Sequence, residues 1–467
     1  MLLTRLSSLL LLVVATHLID RSEYGILTLV VTVGELTDTA VTNWLRIALL
    51  RLGGKGTISS GSLLLAARVL LATTAISFVV SILASFVVAP DAWGQFSIAL
   101  CVYLGVNAIS RLATTLLQMQ QRHSTYSLLE SLRALLQFVL PVSSIFIVPN
   151  SFLAMSLASS LGILIVGLVS AVTAATSIVP GPSRFTTRQL LALGLPLMAI
   201  AAMSFGLNSA ERVILKIYYD AGAVAVFAAA YALARQPIDT VANAINMGGF
   251  PELMAKFDED GPVAAGRLLA AQMALQGRLS FPIVAALVAL GPDISALFLP
   301  AGYHQYAGLL FPLIAFSVLA TNFNSFIFQN VIHAHKRPWL LIWPMAPGSA
   351  ATVILSILLI PRYAEIGAAI ALLGGTVASL VASIIVSRRL TIIPIPWRDL
   401  AASVGIAALS GLAAWLASAL LGDAWAFFKL AAGGTAWLLV FLGLQTLLHP
   451  AQTRALVQTV RARLGMA

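Results

Sequence analysis

The sequence predicts an all-α, polytopic integral membrane protein of about fourteen membrane-crossing helices. Three observations carry that expectation. Of 467 residues, 60% are hydrophobic and only 9% charged, with a mean hydropathy of +0.96. A soluble domain carries about 25% charged residues and needs a polar skin that this chain cannot supply. The apolar residues fall in runs of roughly 20, the length that spans a ~30 Å hydrocarbon core as a helix. The basic residues stand singly between those runs, where membrane-helix ends place them.

Taken in order, the runs cover residues 2–19, 25–50, 62–88, 93–119, 126–148, 152–178, 190–217, 223–248, 268–290, 306–332, 339–360, 366–386, 400–420 and 424–448. The first is short and carries Arg5. A signal peptide would need a small-x-small cleavage site, and none precedes Asp20-Arg21-Ser22-Glu23. The longest connection, 250–267, holds Pro251-Glu252-Leu253 and the acidic run Asp258-Glu259-Asp260, which suits a short interfacial helix and a turn.

Loop charge sets the orientation. With the N-terminus cytoplasmic, and with Arg5, Lys216 and Lys429 counted at the ends of their spans, 16 of the 27 Lys and Arg residues fall on the inside, 4 on the outside (Arg21, Lys216, Arg362, Lys429) and 7 within spans. Moving the parity by one helix inverts that ratio and breaks the positive-inside rule. Both termini are therefore expected in the cytoplasm.

The same scatter argues against nucleic acid as a partner, although net charge is +10 and the pI about 10.1; a nucleic-acid surface would gather its charge on one face. Cys101 stands alone, so no disulfide framework or Cys-x-x-Cys motif is available. The six histidines sit at span ends or in loops without metal-ligand spacing. No cofactor or metal is expected. The sequence contains no GxxxxGK[ST] loop and no connection long enough for a nucleotide-binding domain.

The polar residues inside the spans carry the functional information, because an ionisable side chain at the bilayer centre costs roughly 2.5–3.5 kcal/mol on insertion scales. At helical spacing they form stripes: Glu35, Asp38, Thr42 and Arg46; Asn107, Arg111, Thr114 and Gln118; Tyr126, Glu130, Arg133 and Gln137; Tyr231, Arg235, Asp239 and Asn246; Asn322, Ser325, Gln329 and His333. One such stripe serves as well for packing between helices, with Glu130 pairing Arg133 and Arg235 pairing Asp239. Five on separate helices point to a shared hydrated cavity, to which Arg278 and the Glu211-Arg212 pair also belong on this reading. Arg68 lies about two turns from an inner span end and suits snorkelling as well as the cavity.

Guanidiniums stay charged and bind phosphate oxygens in pairs. Arg111, Arg133, Arg212, Arg235 and Arg278 are accordingly the expected substrate-binding residues, for a large anionic group such as a pyrophosphate. Glu35, Asp38, Glu211 and Asp239 are the candidates for coupling to a proton or a cation. Two carboxylates one turn apart, like Glu35 and Asp38, can share a proton.

Three stretches carry a resemblance to a known family. Near the start stands LIDRSEYGILTLVVTVGELT. Midway comes LNSAERVILKIYYDAGAVAVFAAAYALARQPIDTVANAINMGGFPEL, and later HAHKRPWLLIWPMAPGSAATVILSILLIPRYAEIGAAIALLGG. In their order and spacing they resemble the Wzx-type flippases of lipid-linked oligosaccharides, within the larger group that holds lipid II flippases and multidrug extruders. Glu211 stands where that family usually has Asp, and Ala364-Glu365 interrupts the usual Tyr-Gly.

The resemblance implies two pseudo-symmetric six-helix lobes, here 1–180 and 181–395, followed by two further helices and a cytoplasmic tail in 396–467. Laying 24–46 over 226–246 sets Glu35 opposite Arg235. It also implies a flippase that carries an undecaprenyl-pyrophosphate-linked oligosaccharide across the bacterial inner membrane by alternating access. Its partners would be the polysaccharide polymerase and chain-length machinery, and it would not be an enzyme. The alternatives are a lipid II flippase, a multidrug exporter, whose cavity should be acidic and aromatic, or a polysaccharide polymerase or ligase, which needs a sizeable outer loop.

Overall fold

The computed structural model describes residues 2–52, 57–176 and 178–448. Lys55, His449, the C-terminal arginines Arg454, Arg461 and Arg463, and the expected cytoplasmic tail lie outside the described residues.

The chain is helical nearly throughout. Helix α1 (Leu2–Leu18) is followed by α2 (Arg21–Val41), which continues past Thr42 as α3 (Asn43–Leu52). Then come α4 (Ser60–Val88), α5 (Trp93–Met119), α6 (His123–Ile147) and α7 (Phe152–Ala175). Helix α8 (Thr187–Asn208) continues past Ser209 as α9 (Ala210–Tyr218), and α10 (Ala221–Phe298) comes next. Helix α11 (Ala307–Phe323) runs through a π-helical stretch at Asn324–Phe328 into α12 (Gln329–Ala334). The described chain closes with α13 (Ile342–Arg388), α14 (Trp397–Ala419) and α15 (Ala426–Leu448).

Two of these helices are hairpins. As a straight rod, the 78 residues of α10 would reach about 117 Å at ~1.5 Å per residue. Gly261 interrupts it with φ 82° and ψ −179°, a conformation that suits glycine, and Pro262 opens the second arm. The reversal is visible in a hydrogen bond: Gln272 Nε2 donates to the Gly249 carbonyl at 3.0 Å, across 23 residues. In α13 the break is at Ala364 (φ 46°, ψ −124°), and Gly375 on the second arm packs against Thr352 on the first.

Eleven helical stretches among the described residues are long and apolar enough to cross a membrane, and α1 adds a shorter apolar one. With α1 included and the arms of the two hairpins counted separately, the described residues hold fourteen apolar helical stretches, thirteen of them long, against the about fourteen crossings expected from the sequence. Position 93–119 is matched residue for residue by α5. The connection 250–267 differs from expectation. Instead of a separate interfacial helix, the first arm of α10 runs straight through Pro251 and turns at Gly261.

Interruptions inside the long helices have local causes. At Thr42 the hydroxyl donates to the Asp38 carbonyl at 2.7 Å and also to the Asp38 carboxylate. A Thr that bonds back one turn bends a helix. Just before the Ser209 break, the Leu207 carbonyl accepts from Thr352 Oγ1 at 3.1 Å, a bond that ties the end of α8 to α13.

The chain divides into two compact units: Met1–Ala229 with Met345–Gly375, and Ala230–Pro344 with Thr376–Ala467. Within the first unit small residues let helices close up, as membrane helices require. The α8 backbone at Gly194 lies on the Trp44 ring, and Gly167 of α7 meets Ser110 of α5. Among the described residues, the only β-pairing is here. Strand β1 (Ile58–Ser59) pairs in parallel with β2 (Ile178–Val179). The Gly61 amide donates to the Gly181 carbonyl at 2.9 Å, and the Arg184 amide donates to Ser62 Oγ at 2.9 Å, which pins the connection before α8 to the start of α4. In the second unit, Leu253, Leu269, Val331 and Ile393 belong to one apolar cluster, with Phe281, Leu390 and Leu400 packed against it.

Candidate functional site

In the first unit the stripes of α2, α3, α5 and α6 meet. Asp38 is buried, and its Oδ2 lies 2.5 Å from Arg111 Nη2; the arginine side chain is 31% exposed against 1% for the acid. Two turns further along, Arg46 donates from Nε and Nη2 to Gln118 Oε1 at 3.2 and 3.1 Å. These contacts form two rungs of a ladder between α2–α3 and α5. Thr114 takes no part, since its hydroxyl donates back to the Ser110 carbonyl at 2.9 Å.

Beside the ladder, Arg133 of α6 donates to Asn107 Oδ1 at 3.3 Å and lies 3.9 Å from Glu130, the longest of the ion pairs. The Tyr103 ring covers Gly34 of α2, where a Cβ would sit 2.8 Å from it, and its phenol lies within the field of Glu35, Asp38, Arg111 and Arg133 together. Sequence reasoning passed over Tyr103, although it stands four residues before Asn107 on the same helical face as Arg111.

Glu211 and Arg212 occupy the start of α9, away from this ladder's contacts. Glu211 is fully buried with neither carboxylate oxygen hydrogen-bonded, and Arg212 Nε stands 3.7 Å from it. Arg212 also reaches Thr32 Oγ1 of α2 at 3.4 Å.

A second ladder runs through the second unit. Asp239, on the first arm of α10, accepts from Asn322 Nδ2 at 3.0 Å, and Asn330 Nδ2 donates to Asn246 Oδ1 at 2.9 Å. The cation on this ladder comes from the same helix: Arg235 Nε lies 2.7 Å from Asp239 Oδ2, and the guanidinium also bonds the Tyr231 hydroxyl at 3.3 Å. Half of the Arg235 side chain is exposed.

Asp239 stands about 200 residues after Asp38, and each acid bonds a side chain on a later helix, α5 in the one case and α11 in the other. The two ladders thus have the same plan. Their chemistry differs, since Arg111 in one is replaced by the neutral Asn322 in the other.

Arg278, on the second arm of α10, is buried and pairs with Asp399 of α14 at 2.5 Å. Its partner was outside the sequence stripes because it belongs to the last two helices. Among the described residues, no group of three or more His, Cys, Asp or Glu side chains gathers to hold a metal ion.

A family model described as a polysaccharide biosynthesis protein matches residues 14–307, well over half of the chain. The chain belongs to the polysaccharide biosynthesis protein family. No curated protein matches the sequence. Among solved structures it is similar to the lipid II flippase MurJ in an inward closed conformation, with a TM-score of 0.69 and 14% identity over 96% of this chain and 98% of that one. An inward-facing multidrug resistance MATE family transporter of the MOP superfamily gives a TM-score of 0.58 and 15% identity, over 83% and 94% of the two chains. A MOP superfamily transporter from Pyrococcus furiosus, described by the reverse polarity of its binding pocket, gives 0.51 and 17%, over 83% and 92%. At these identities the likeness is one of fold: an all-α, polytopic transporter fold of the MurJ and MATE type.

Proposed function

We propose that this member of the polysaccharide biosynthesis family is a flippase. It carries an undecaprenyl-pyrophosphate-linked oligosaccharide across the bacterial inner membrane by alternating access, for surface polysaccharide assembly. Both termini face the cytoplasm, and polymerase and chain-length machinery act on what it delivers.

The observation that carries the reading is the charge around Tyr103. Arg111 and Arg133 hold guanidiniums on apolar helices, partly exposed and beside polar neighbours, in a family tied to polysaccharide synthesis. A guanidinium there meets a pyrophosphate in paired, charge-assisted hydrogen bonds. Arg235, half exposed on the ladder of the second unit, offers the same chemistry there. On this reading Arg212 and Arg278 serve the same substrate from positions beside Glu211 and Asp399. Glu35, Asp38, Glu211 and Asp239 supply the carboxylates through which a proton or cation gradient would act.

The test is transport in proteoliposomes loaded with the lipid-linked oligosaccharide, read by the arrival of its glycan at a membrane-impermeant lectin. The wild type exposes the glycan and Arg133→Ala does not. Glycan exposure at the protein-free rate by the wild type would overturn the proposal.

A further inference from the structure

The second unit holds a cavity of about 730 Å³ with almost wholly apolar walls. Phe281 and Val288 come from the second arm of α10, Phe316 from α11, and Val404, Leu412 and Trp415 from α14. Several of these stand open, with Trp415 54% exposed. The lining of α14 runs from Val404 to Trp415, about 16 Å of helix, close to the ~15 Å depth of one leaflet's hydrocarbon.

Polar contacts between α10 and α14 flank the groove lining on both sides. Arg278 pairs with Asp399 one turn before Phe281, and Ser418 Oγ donates to Asp293 at 2.5 Å beyond Trp415.

The Arg278 end carries further charge. Arg267, Arg388, Arg389 and Arg398 are all exposed there. They share one neighbourhood: Gly266 packs against the Ile392 carbonyl, and Leu390, Ile393, Leu400 and the groove residue Phe281 belong to one apolar cluster. All 17 carboxylate residues of the sequence lie among the described residues, and none pairs with these four arginines. Trp397, 70% exposed beside Arg398, is the residue type that settles at headgroup level.

We propose that the second unit carries a binding site for an anionic diacyl phospholipid, with a chain in the apolar groove and the phosphate against the arginine rim. A zwitterionic lipid fills the groove equally well but leaves the four guanidiniums without an anion. A lipid held here bridges α10 to α14 alongside the Arg278–Asp399 pair.

The test uses Trp415 as its own reporter. Purified protein in detergent is mixed with dibrominated phosphatidylglycerol or dibrominated phosphatidylcholine at equal mole fraction, and bromine quenching of tryptophan emission is recorded. Trp415→Phe identifies the emission that belongs to the groove. That component is quenched at lower mole fractions by the phosphatidylglycerol. Combining Arg388→Gln, Arg389→Gln and Arg398→Gln on the exposed rim removes the preference, each arginine contributing about fivefold. Equal quenching by the two lipids in the wild type would overturn the proposal. So would quenching that undecaprenyl phosphate relieves more effectively than unbrominated phosphatidylglycerol, which would give the groove to a polyprenyl chain.

Discussion

Asp38 and Arg111 meet at 2.5 Å with unequal burial: the acid is enclosed and the guanidinium is about one-third exposed. Removing either partner therefore has a different cost. Arg111→Ala strands a buried carboxylate, a loss of roughly 3–5 kcal/mol, and should lower the amount of folded protein in the membrane. Asp38→Asn keeps a hydrogen-bonding group beside Thr42 and leaves a guanidinium that water can reach. Membrane protein levels should fall in the order wild type, Asp38→Asn, Arg111→Ala. Adding Asp38→Asn to Arg111→Ala should restore the level without restoring transport. Equal levels for the two single variants would show that the pair is not held as described.

Arg133 and Arg235 behave differently. Arg133 has only a 3.9 Å approach to Glu130, and Asp239 keeps Asn322 when Arg235 is removed. Alanine at either position should leave protein levels near the wild type and reduce transport, since a charge-assisted contact is worth roughly 1.5–3 kcal/mol. Lysine should recover part of the rate, because it keeps the charge without the paired geometry. Polysaccharide output normalised to membrane protein level decides the matter; full output from both alanine variants would remove these residues from the substrate path.

Ala364 occupies a conformation (φ 46°, ψ −124°) that an L side chain rarely takes. Glycine has no such penalty, and backbone strain of this kind costs of order 1–3 kcal/mol. Part of the gain returns as extra freedom in the unfolded chain, about 0.4–1 kcal/mol. Ala364→Gly should raise the thermal unfolding midpoint of the purified protein, by about 1 kcal/mol in stability, and Ala364→Val should lower it. A midpoint unchanged by glycine would mean the turn relaxes around alanine at no cost.

Orientation can be read from two exposed connections in a Cys101→Ser background. Cysteine at Asp91, between α4 and α5, should react with an impermeant thiol reagent in intact cells with a permeabilised outer envelope. Cysteine at Ser124, at the start of α6, should react only after the inner membrane is opened. The reverse pattern would invert the topology.

Much of the fold was legible because hydrocarbon leaves few solutions. Each apolar run expected to cross is helical, and the limits of α5 follow directly from Trp93 and Met119. The hairpins at Gly261 and Ala364 were legible as separate spans, but the helical length on either side was not, since Pro251 reads as a helix end in sequence and sits within a helix here. For the site, spacing on one helix revealed which residues share a face. It could not reveal partners on other helices. Asp38 with Arg111 and Arg278 with Asp399 are separated by tens of residues or more, and no local period connects them. Glu35 and Asp38 read alike, yet one is exposed and the other buried beneath Arg111.

The short pairing of β1 with β2 has a bearing on how the protein is made. Ile58 and Ile178 become partners only after about 120 residues have followed the first strand out of the ribosome. Until β2 emerges, the start of α4 lacks the hydrogen bonds that Gly181 and Arg184 share with it. The helices from α4 to α7 are thus inserted first and fastened afterwards, so their assembly is complete only when synthesis reaches the lead into α8. A ribosome stalled earlier leaves the start of α4 without this fastening.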